Sequence, residues 1–330
     1  MKCTARSLKE TLLSISQEMG EHPEEYAKDP RKDFTRRRAL TLPALMVLIL
    51  TMDEKSAWKG LLGYFQNKID TPLASAFVQQ RKKLLPSAFS ELFHRFTGTL
   101  AARKTYRGHR LLSVDGTSLK SSSYPADADA FRPGTERQPG RNLYHINALF
   151  DLENGIYTDI LVQKEHTKSE DAALCEMAEC STNSEPVILP AGRGYEAYNN
   201  FEHLERKGWK YLIRLKDRNR TYAYGITLPN HSESDLPVRI TLGWLTRRQM
   251  EQRGIPVPEP YYRLQNHIPF DLLEPGSAGF YLFSARIVRP KLKDGSTGPS
   301  SRTWTRLNSL LRHCEAFMPD AGILKPLSGS

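Results

Sequence analysis

The stretch 187-VILPAGRGYEAYNNFEHLERKGWKYLIRLKD-217 decides the fold. It opens on an apolar run, Val187-Ile188-Leu189, that reads as a short buried strand. The run breaks at Pro190-Ala191-Gly192-Arg193-Gly194-Tyr195. An amphipathic helix follows, with Phe201, Leu204 and Trp209 on its apolar side, and then a second strand, Tyr211-Leu212-Ile213-Arg214-Leu215. A strand end that points into a helix start is where α/β proteins place their chemistry. Yet the turn holds no acid, no nucleophile and no histidine.

Upstream, Arg110-Leu111-Leu112-Ser113-Val114-Asp115-Gly116 reads as a strand that ends on an acid and a glycine. Leu143 to Asp151 is a second strand, Glu153-Asn154-Gly155 a hairpin turn, and Tyr157 to Gln163 a third strand. A helix is expected over about 168–181, then strand 187–189, helix 196–207 and strand 210–215. The order β-β-β-α-β-α-β is an antiparallel meander continued by α/β crossovers. That is the ribonuclease-H-like order, and it occupies residues 106–216.

Residues 1–105 read as all-helical. Pro43 suits the first turn of a buried helix, Ala44 to Leu50, and further helices are expected at 55–67, 72–84 and 86–99. Before the buried helix stands a charge run, Lys28 to Arg38. It is either a solvated face or a DNA-backbone contact made by Arg31, Lys32, Arg36, Arg37 and Arg38. Residues 217–290 form a mostly β insertion, with strands at Ile240 to Trp244, Tyr261 to Leu264 and Phe280 to Val288. From 291 to 330 the pattern dissolves into an aberrant tail.

The apolar share of 39% and charged share of 25% describe a globular chain and exclude an intrinsically disordered one. The 47 Lys+Arg against 37 Asp+Glu give a net charge of +10, which makes nucleic acid the leading partner class. Cys3, Cys175, Cys180 and Cys314 have no zinc-site spacing and read as free thiols in a reducing compartment. The apolar run Leu42 to Met52, about eleven residues, is too short to cross a bilayer, which takes roughly 20. These features place the chain in the cytoplasm, with no membrane partner.

The motifs then point to one family. Leu112-Ser113-Val114-Asp115-Gly116-Thr117 and Ala191-Gly192-Arg193-Gly194-Tyr195, the latter followed by Glu196, Tyr198 and Asn199, stand in order. Phe34-Thr35-Arg36, Ala76-Phe77-Val78-Gln79-Gln80-Arg81 and Phe89 to Phe93 precede them. Over residues 30–290 the chain resembles a DDE transposase of a bacterial insertion sequence, in the group with a β domain inserted before the catalytic glutamate. The resemblance implies a ribonuclease-H-like catalytic core whose three acids hold two Mg²⁺ (or Mn²⁺) ions. Those ions cut the element's ends by water attack and join them to target DNA by 3′-hydroxyl attack. It implies Asp115 as the first acid and metal ligand, and Arg193 as a DNA contact. The implied partners are the terminal inverted repeats, target DNA and self-association on DNA.

The departures answer the empty turn. Gly192 stands where the family carries its second metal-binding Asp, one base change away. The third acid belongs to a helix with the pattern Tyr-x-x-Arg-x-x-x-Glu-x-x-x-x-x-x-Lys, and no in-frame segment after 285 carries it. Read in the frame displaced by two bases, Ser301 to Thr305 permits Thr-Asn-Leu-Asp. Phe317 to Lys325 permits Tyr-Ala-Arg-Arg-Trp-Asp-Ile-Glu, although codon degeneracy admits other residues at most positions. The expectation is a frameshifted, truncated copy, a pseudogene product or a programmed-frameshift remnant, with the C-terminal part of the core missing and catalysis lost.

Other readings stand beside it. Gly192-Arg193-Gly194 after a strand could cradle a phosphate, but neither the Walker lysine nor a complete dinucleotide fingerprint is present. A non-catalytic DNA-binding remnant is the main rival. A product left with exposed apolar surface by its missing helix is the third. His145 reads as an ordinary strand residue; Arg214 and Lys216 read equally as backbone contacts or a solvated edge.

Overall fold

The computed structural model describes residues 4–36, 38–52, 56–100, 104–215, 221–222, 226–227, 234–266 and 269–289. It divides into two compact units, Met1–Ala102 and Arg103–Ser330. The expectations for Arg37 and for the tail 291–330 lie outside the described residues. Among those described, no helix is long and apolar enough to cross a membrane.

The first unit is helical: α1 (Ala5–Met19), α2 (Leu42–Thr51), α3 (Ala57–Tyr64), α4 (Ala74–Arg81) and α5 (Ser87–Thr99). Thr4 caps α1 by accepting from the Ser7 N–H at 3.2 Å, and Thr41 caps α2 by accepting from Ala44 at 3.3 Å. The sequence of α2 is apolar on every side because the helix is the spine of this unit. Leu42, Leu45, Met46 and Leu48 are buried against Ile15 and Met19 of α1, Leu61 of α3, Phe77 of α4 and Leu92 of α5.

In the second unit β1 (Arg110–Ser121), β2 (Phe131–Arg132), β3 (Arg141–Asp151) and β4 (Ile156–Lys164) come first, then α6 (Glu170–Cys180). β5 (Val187–Ala191), α7 (Tyr198–Arg206) and β6 (Lys210–Ile213) follow. One mixed sheet runs β2-β3-β1-β5-β6, with β4 paired to β3. The β1, β3 and β4 neighbours are antiparallel, and β1, β5 and β6 are parallel. This is the ribonuclease-H-like core expected from the order of elements. β5 lies between two parallel neighbours, so Val187, Ile188, Leu189 and Pro190 are all buried. Its pairing with β1 breaks between Leu111/Ile188 and Val114/Ala191, across Pro190, which has no N–H to donate.

One sheet face packs on α6 through Leu112, Val114, Leu149, Leu189 and Leu174. The residues alternating with these, Ser113, Asp115, Thr117 and Leu119, point the other way. Through Leu119↔Tyr144, Val162↔Ile146, Ile160↔Ala148 and Tyr157↔Phe150 they share that second face with β3 and β4. It leaves Leu119, Tyr157, Ile160 and Val162 exposed. At the other end of β1, Arg110 donates to the fully buried Asp151 carboxylate at 2.8 Å, whose second oxygen accepts from Glu153, Asn154 and the Asn154 side chain. Every lone pair of consequence is used, so the buried charge fixes the β3–β4 hairpin to the start of β1.

Three sequence expectations are revised. β1 does not stop at Gly116: residues 117–121 continue because β3 pairs with them as far as Ser121↔Asn142. The helix α7 has two buried faces rather than one. Leu204, with Trp209 after it, enters the sheet core, whereas Tyr198 and Phe201 enter a second core. That second core is made by the β-rich segment, in which β7 (Thr221–Tyr222) pairs with β8 (Ile226–Thr227). Beyond them β9 (Ser234–Gly243), β10 (Tyr261–Arg263) and β11 (Phe280–Arg289) form a sheet of order β10-β9-β11. It includes a short helix the sequence did not suggest, α8 (Arg247–Gln252), started by a capping box between Thr246 and Gln249. Ile240, Leu242, Trp244 and Phe283 pack on Tyr198 and Phe201. Polar ties reinforce the seam. His203 of α7 lies between Glu179 of α6 at 2.5 Å and Asp271 at 2.9 Å, and Tyr281 donates to Glu202 at 2.6 Å. Cys175 and Cys180 are free thiols, and burial pushes the Cys175 thiol up to about 12.

Truncating Leu204 to Ala should cost about 2–5 kcal/mol in urea unfolding, because the cavity opens beneath the sheet. Burial raises the Glu202 carboxyl above its ordinary value, with the Tyr281 hydrogen bond opposing that. The folded state therefore holds this proton more tightly than the unfolded chain. The resulting stability is present below the ordinary carboxylate range and is lost as pH rises through the raised value. Glu202→Gln should accordingly flatten the decline in melting temperature as pH rises above the ordinary carboxylate range. Parallel curves for the two proteins would contradict the assignment.

Candidate functional site

Parallel pairing sets the site. Val114, Ala191 and Ile213 align across β1, β5 and β6, and all three pack into the sheet core under α6. The next residue on each strand is Asp115, Gly192 and Arg214. Gly192 keeps an extended backbone at φ −71° and ψ 173°, and the Arg214 N–H donates to the Ala191 carbonyl at 3.2 Å, so the ladder continues one step past the strands. Alternation then turns Asp115, the Gly192 position and Arg214 to the opposite face. Leu111, Ile188 and Leu212 share that face nearer the starts of the strands, as their common apolar cluster requires. The sequence placed Asp115 and Gly192 in separate motifs; the sheet sets them side by side.

Asp115 is exposed and its Oδ1 accepts from the Gly116 N–H at 2.9 Å. Gly192 is also exposed, and a Cβ added there meets nothing within 4 Å. Its φ is one that any L-residue adopts. Glycine is therefore not required at 192 by either space or backbone, and a carboxylate would fit. Gly116 is the reverse case. A Cβ there would lie 2.5 Å from His145 Nε2 and 3.2 Å from Asn147 Oδ1, so this glycine is an imposed close approach, not a turn residue.

Behind the edge lies a polar cluster. His145 and Asn147 of β3 are buried, and His145 Nε2 is 3.1 Å from Glu170 Oε1, near enough for an ion pair though not aligned for a hydrogen bond. The other Glu170 oxygen faces Gly194, where a Cβ would lie 3.2 Å away. Gln163 accepts from Asn147 at 3.2 Å and from the Ser169 N–H at 3.0 Å, tying β4 to the cap of α6. Tyr195 is buried with its hydroxyl unpartnered among the described residues, and burial together with Glu170, Asp115 and Asp171 pushes its phenol up, keeping it neutral. His145 is thus a strand residue as read; Glu170 and Asn147 were missed, and Arg214, read as a backbone contact or a solvated edge, was not connected with Asp115 and Gly192. The period-2 alternation that sends Leu143 and Leu149 inward also sends His145 and Asn147 inward, and that signal was available.

Arg193 is exposed in the 3₁₀ turn Arg193–Tyr195. Arg31, Lys32, Arg36 and Arg38 are exposed in the loop between the Pro23–Tyr26 turn and α2. Asp29 and Asp33 shape that loop: the Asp33 N–H donates to the Asp29 carbonyl at 2.8 Å, Arg31 N–H to the Asp29 carboxylate at 3.2 Å, and Lys83 pairs with Asp33 at 3.4 Å. Lys32 lies 3.4 Å from Asp29. These groups belong to the first unit, and the Asp115 row to the second. Among the described residues, no three His, Cys, Asp or Glu side chains come together in a way that could hold a metal ion.

The family model for the transposase DDE domain matches residues 106–299. No curated protein matches the chain. Among solved structures, the chain is similar to a piggyBac transposase in a synaptic complex with hairpin DNA, at 10% sequence identity and a TM-score of 0.36. The likeness covers 63% of this chain and 51% of that one, so this chain spans about half the length of that solved relative.

The two glycines of the edge should respond oppositely to alanine. Gly116→Ala should destabilise by about 1–3 kcal/mol as His145 is forced aside. Gly192→Ala should be neutral or stabilising by about 0.4–1 kcal/mol through the unfolded chain. Urea midpoints measure both, and equal shifts would refute the steric assignment.

Proposed function

The chain belongs to the DDE transposase family, and from that premise we propose that it is an insertion-sequence transposase copy that still binds DNA but no longer cuts or joins it. The observation that carries this reading is the strand-end row. Asp115 has beside it, in register and with open space, a position where a second carboxylate fits and a glycine stands. Asp115 serves as the first acid and metal ligand by descent, and Gly192 marks the lost second acid. The third belongs to a tail that lies outside the described residues and reads best in the displaced frame.

Among the described residues, those at the strand-end row do not fit the two-ion Mg²⁺ or Mn²⁺ centre of the intact family. Such a centre needs several hard oxygen ligands held together, and the row offers one carboxylate and a guanidinium. DNA binding needs none of this. The net charge of +10 and the exposed Arg31, Lys32, Arg36, Arg38 and Arg193 support contacts to phosphate at the element's terminal repeats and at target DNA. Arg37 belongs to the same proposed set, as does self-association on DNA. The exposed Leu119, Tyr157, Ile160 and Val162 favour a second reading, a product that aggregates through this sheet face.

The test incubates the purified chain with a duplex carrying the element's ends, with Mg²⁺ or Mn²⁺. The expected outcome is a shifted duplex and no nick, and Gly192→Asp alone should not restore cutting. Replacing Arg31, Lys32, Arg36 and Arg38 by Gln should lower the salt slope of binding by about one per lost phosphate contact. Divalent-dependent nicking by the chain as written would overturn the proposal. Sequencing the gene beyond codon 285 in all frames checks the tail: stops in the displaced frame before its glutamate would remove the frameshift.

A further inference from the structure

His203 lies where α6, α7 and the β-rich segment meet, far from the strand-end row in sequence and used by none of the motifs. It is buried on α7, and each of its ring nitrogens faces an acid from a different element. Nδ1 is 2.5 Å from Glu179 Oε1 of α6. Nε2 is 2.9 Å and 3.0 Å from the two oxygens of Asp271, which stands between β10 and β11. A neutral imidazole carries one N–H, so in either tautomer it donates toward one carboxylate and turns a lone pair on the other. Only the protonated ring makes both contacts ion pairs. Loss of one proton therefore replaces two attractions by one attraction and one repulsion.

The rest of the seam does not depend on that proton. Phe270 is buried in the second core, and Trp244 Nε1 donates to the Leu273 carbonyl at 3.0 Å. These hold the ends of a short stretch, Asp271 and Leu272, which borders an open hollow of about 310 Å³ shared with Glu179, His203, Arg206 and Lys207. The Asp271 N–H donates to Asn199 Oδ1 at 3.1 Å, so it reports whether the stretch lies on α7. The other charged groups around the ring have their own places. Burial pushes the Cys175 thiol of α6 up to about 12, and Asp171 accepts from Asn200 at 2.6 Å. On α7, Lys207 Nζ donates to the Glu179 and Ser181 carbonyls at 3.0 Å and 2.8 Å, Arg206 lines the hollow, and Glu202 is the carboxyl that accepts from Tyr281.

We propose that His203 is a proton-operated latch, which holds the Asp271–Leu272 stretch against α6 and α7 when its ring is charged and lets it open into the hollow when the ring is neutral. The latch is closed at acid pH and opens as the pH rises past the ordinary range of histidine, centred at about 6.5. This inference does not rest on the DNA-binding reading.

Hydrogen exchange of the full chain, followed by NMR and corrected for the chemical rate at each pH, tests it. Between about pH 5.5 and about pH 8, the Asp271 amide should lose protection about tenfold, the size of one charge-assisted contact, while the β1 amides change less. Asp271→Asn removes an acceptor charge from a side chain that is 59% exposed, so it spares the fold and should abolish the fall. His203→Gln should leave the amide weakly protected at both ends of the range. Glu202→Gln should keep the fall, which separates the ring from the neighbouring carboxyl. Constant protection of Asp271, or a loss that β1 matches, would overturn the latch. So would a fall that survives in Asp271→Asn or disappears in Glu202→Gln.

Discussion

The chemistry of this chain depends on one constraint: residues in register on parallel strands must share a face. Once Val114, Ala191 and Ile213 are committed to the core under α6, the residues after them have no choice of direction. The apolar pattern of β1, β5 and β6 thus aims three side-chain positions at a single patch, although they are spread over about a hundred residues of sequence. The buried Arg110–Asp151 pair holds the other end of β1 to the β3–β4 hairpin, so the strand cannot slide by one residue and reverse its faces.

Much of this was legible beforehand. The continuous apolar run at 187–189 reads as a strand buried between neighbours because parallel strands lose their alternation, and the order of elements around it gives the fold. What escaped has physical causes. The end of β1 was misjudged because Gly116 imitates a turn residue, when its reason is the His145 ring lying where a side chain would be. The two faces of α7 were merged because Phe201 and Leu204 have the spacing of a single stripe. Only the packing of Trp244 and Phe283 reveals that one of them serves another core. Arg214 stayed ambiguous because its meaning lies in a register between strands, which no local window contains.

The polar groups behind the edge form a second layer. Glu170 begins α6, where the helix favours an acid, and its two oxygens face His145 and the Gly194 turn. Glu170 thus lies between β3 and the turn after β5. Position 192 takes no part in this arrangement, since a Cβ there meets nothing within 4 Å.

The double burial of α7 has a consequence for which positions can change. From Tyr198 to Leu204 every residue is buried, so almost any substitution there is felt by one core or the other. Six residues earlier, Gly192 meets nothing. Substitution is therefore tolerated first where the structure is indifferent, at position 192, and last along α7, whose residues answer to two cores at once.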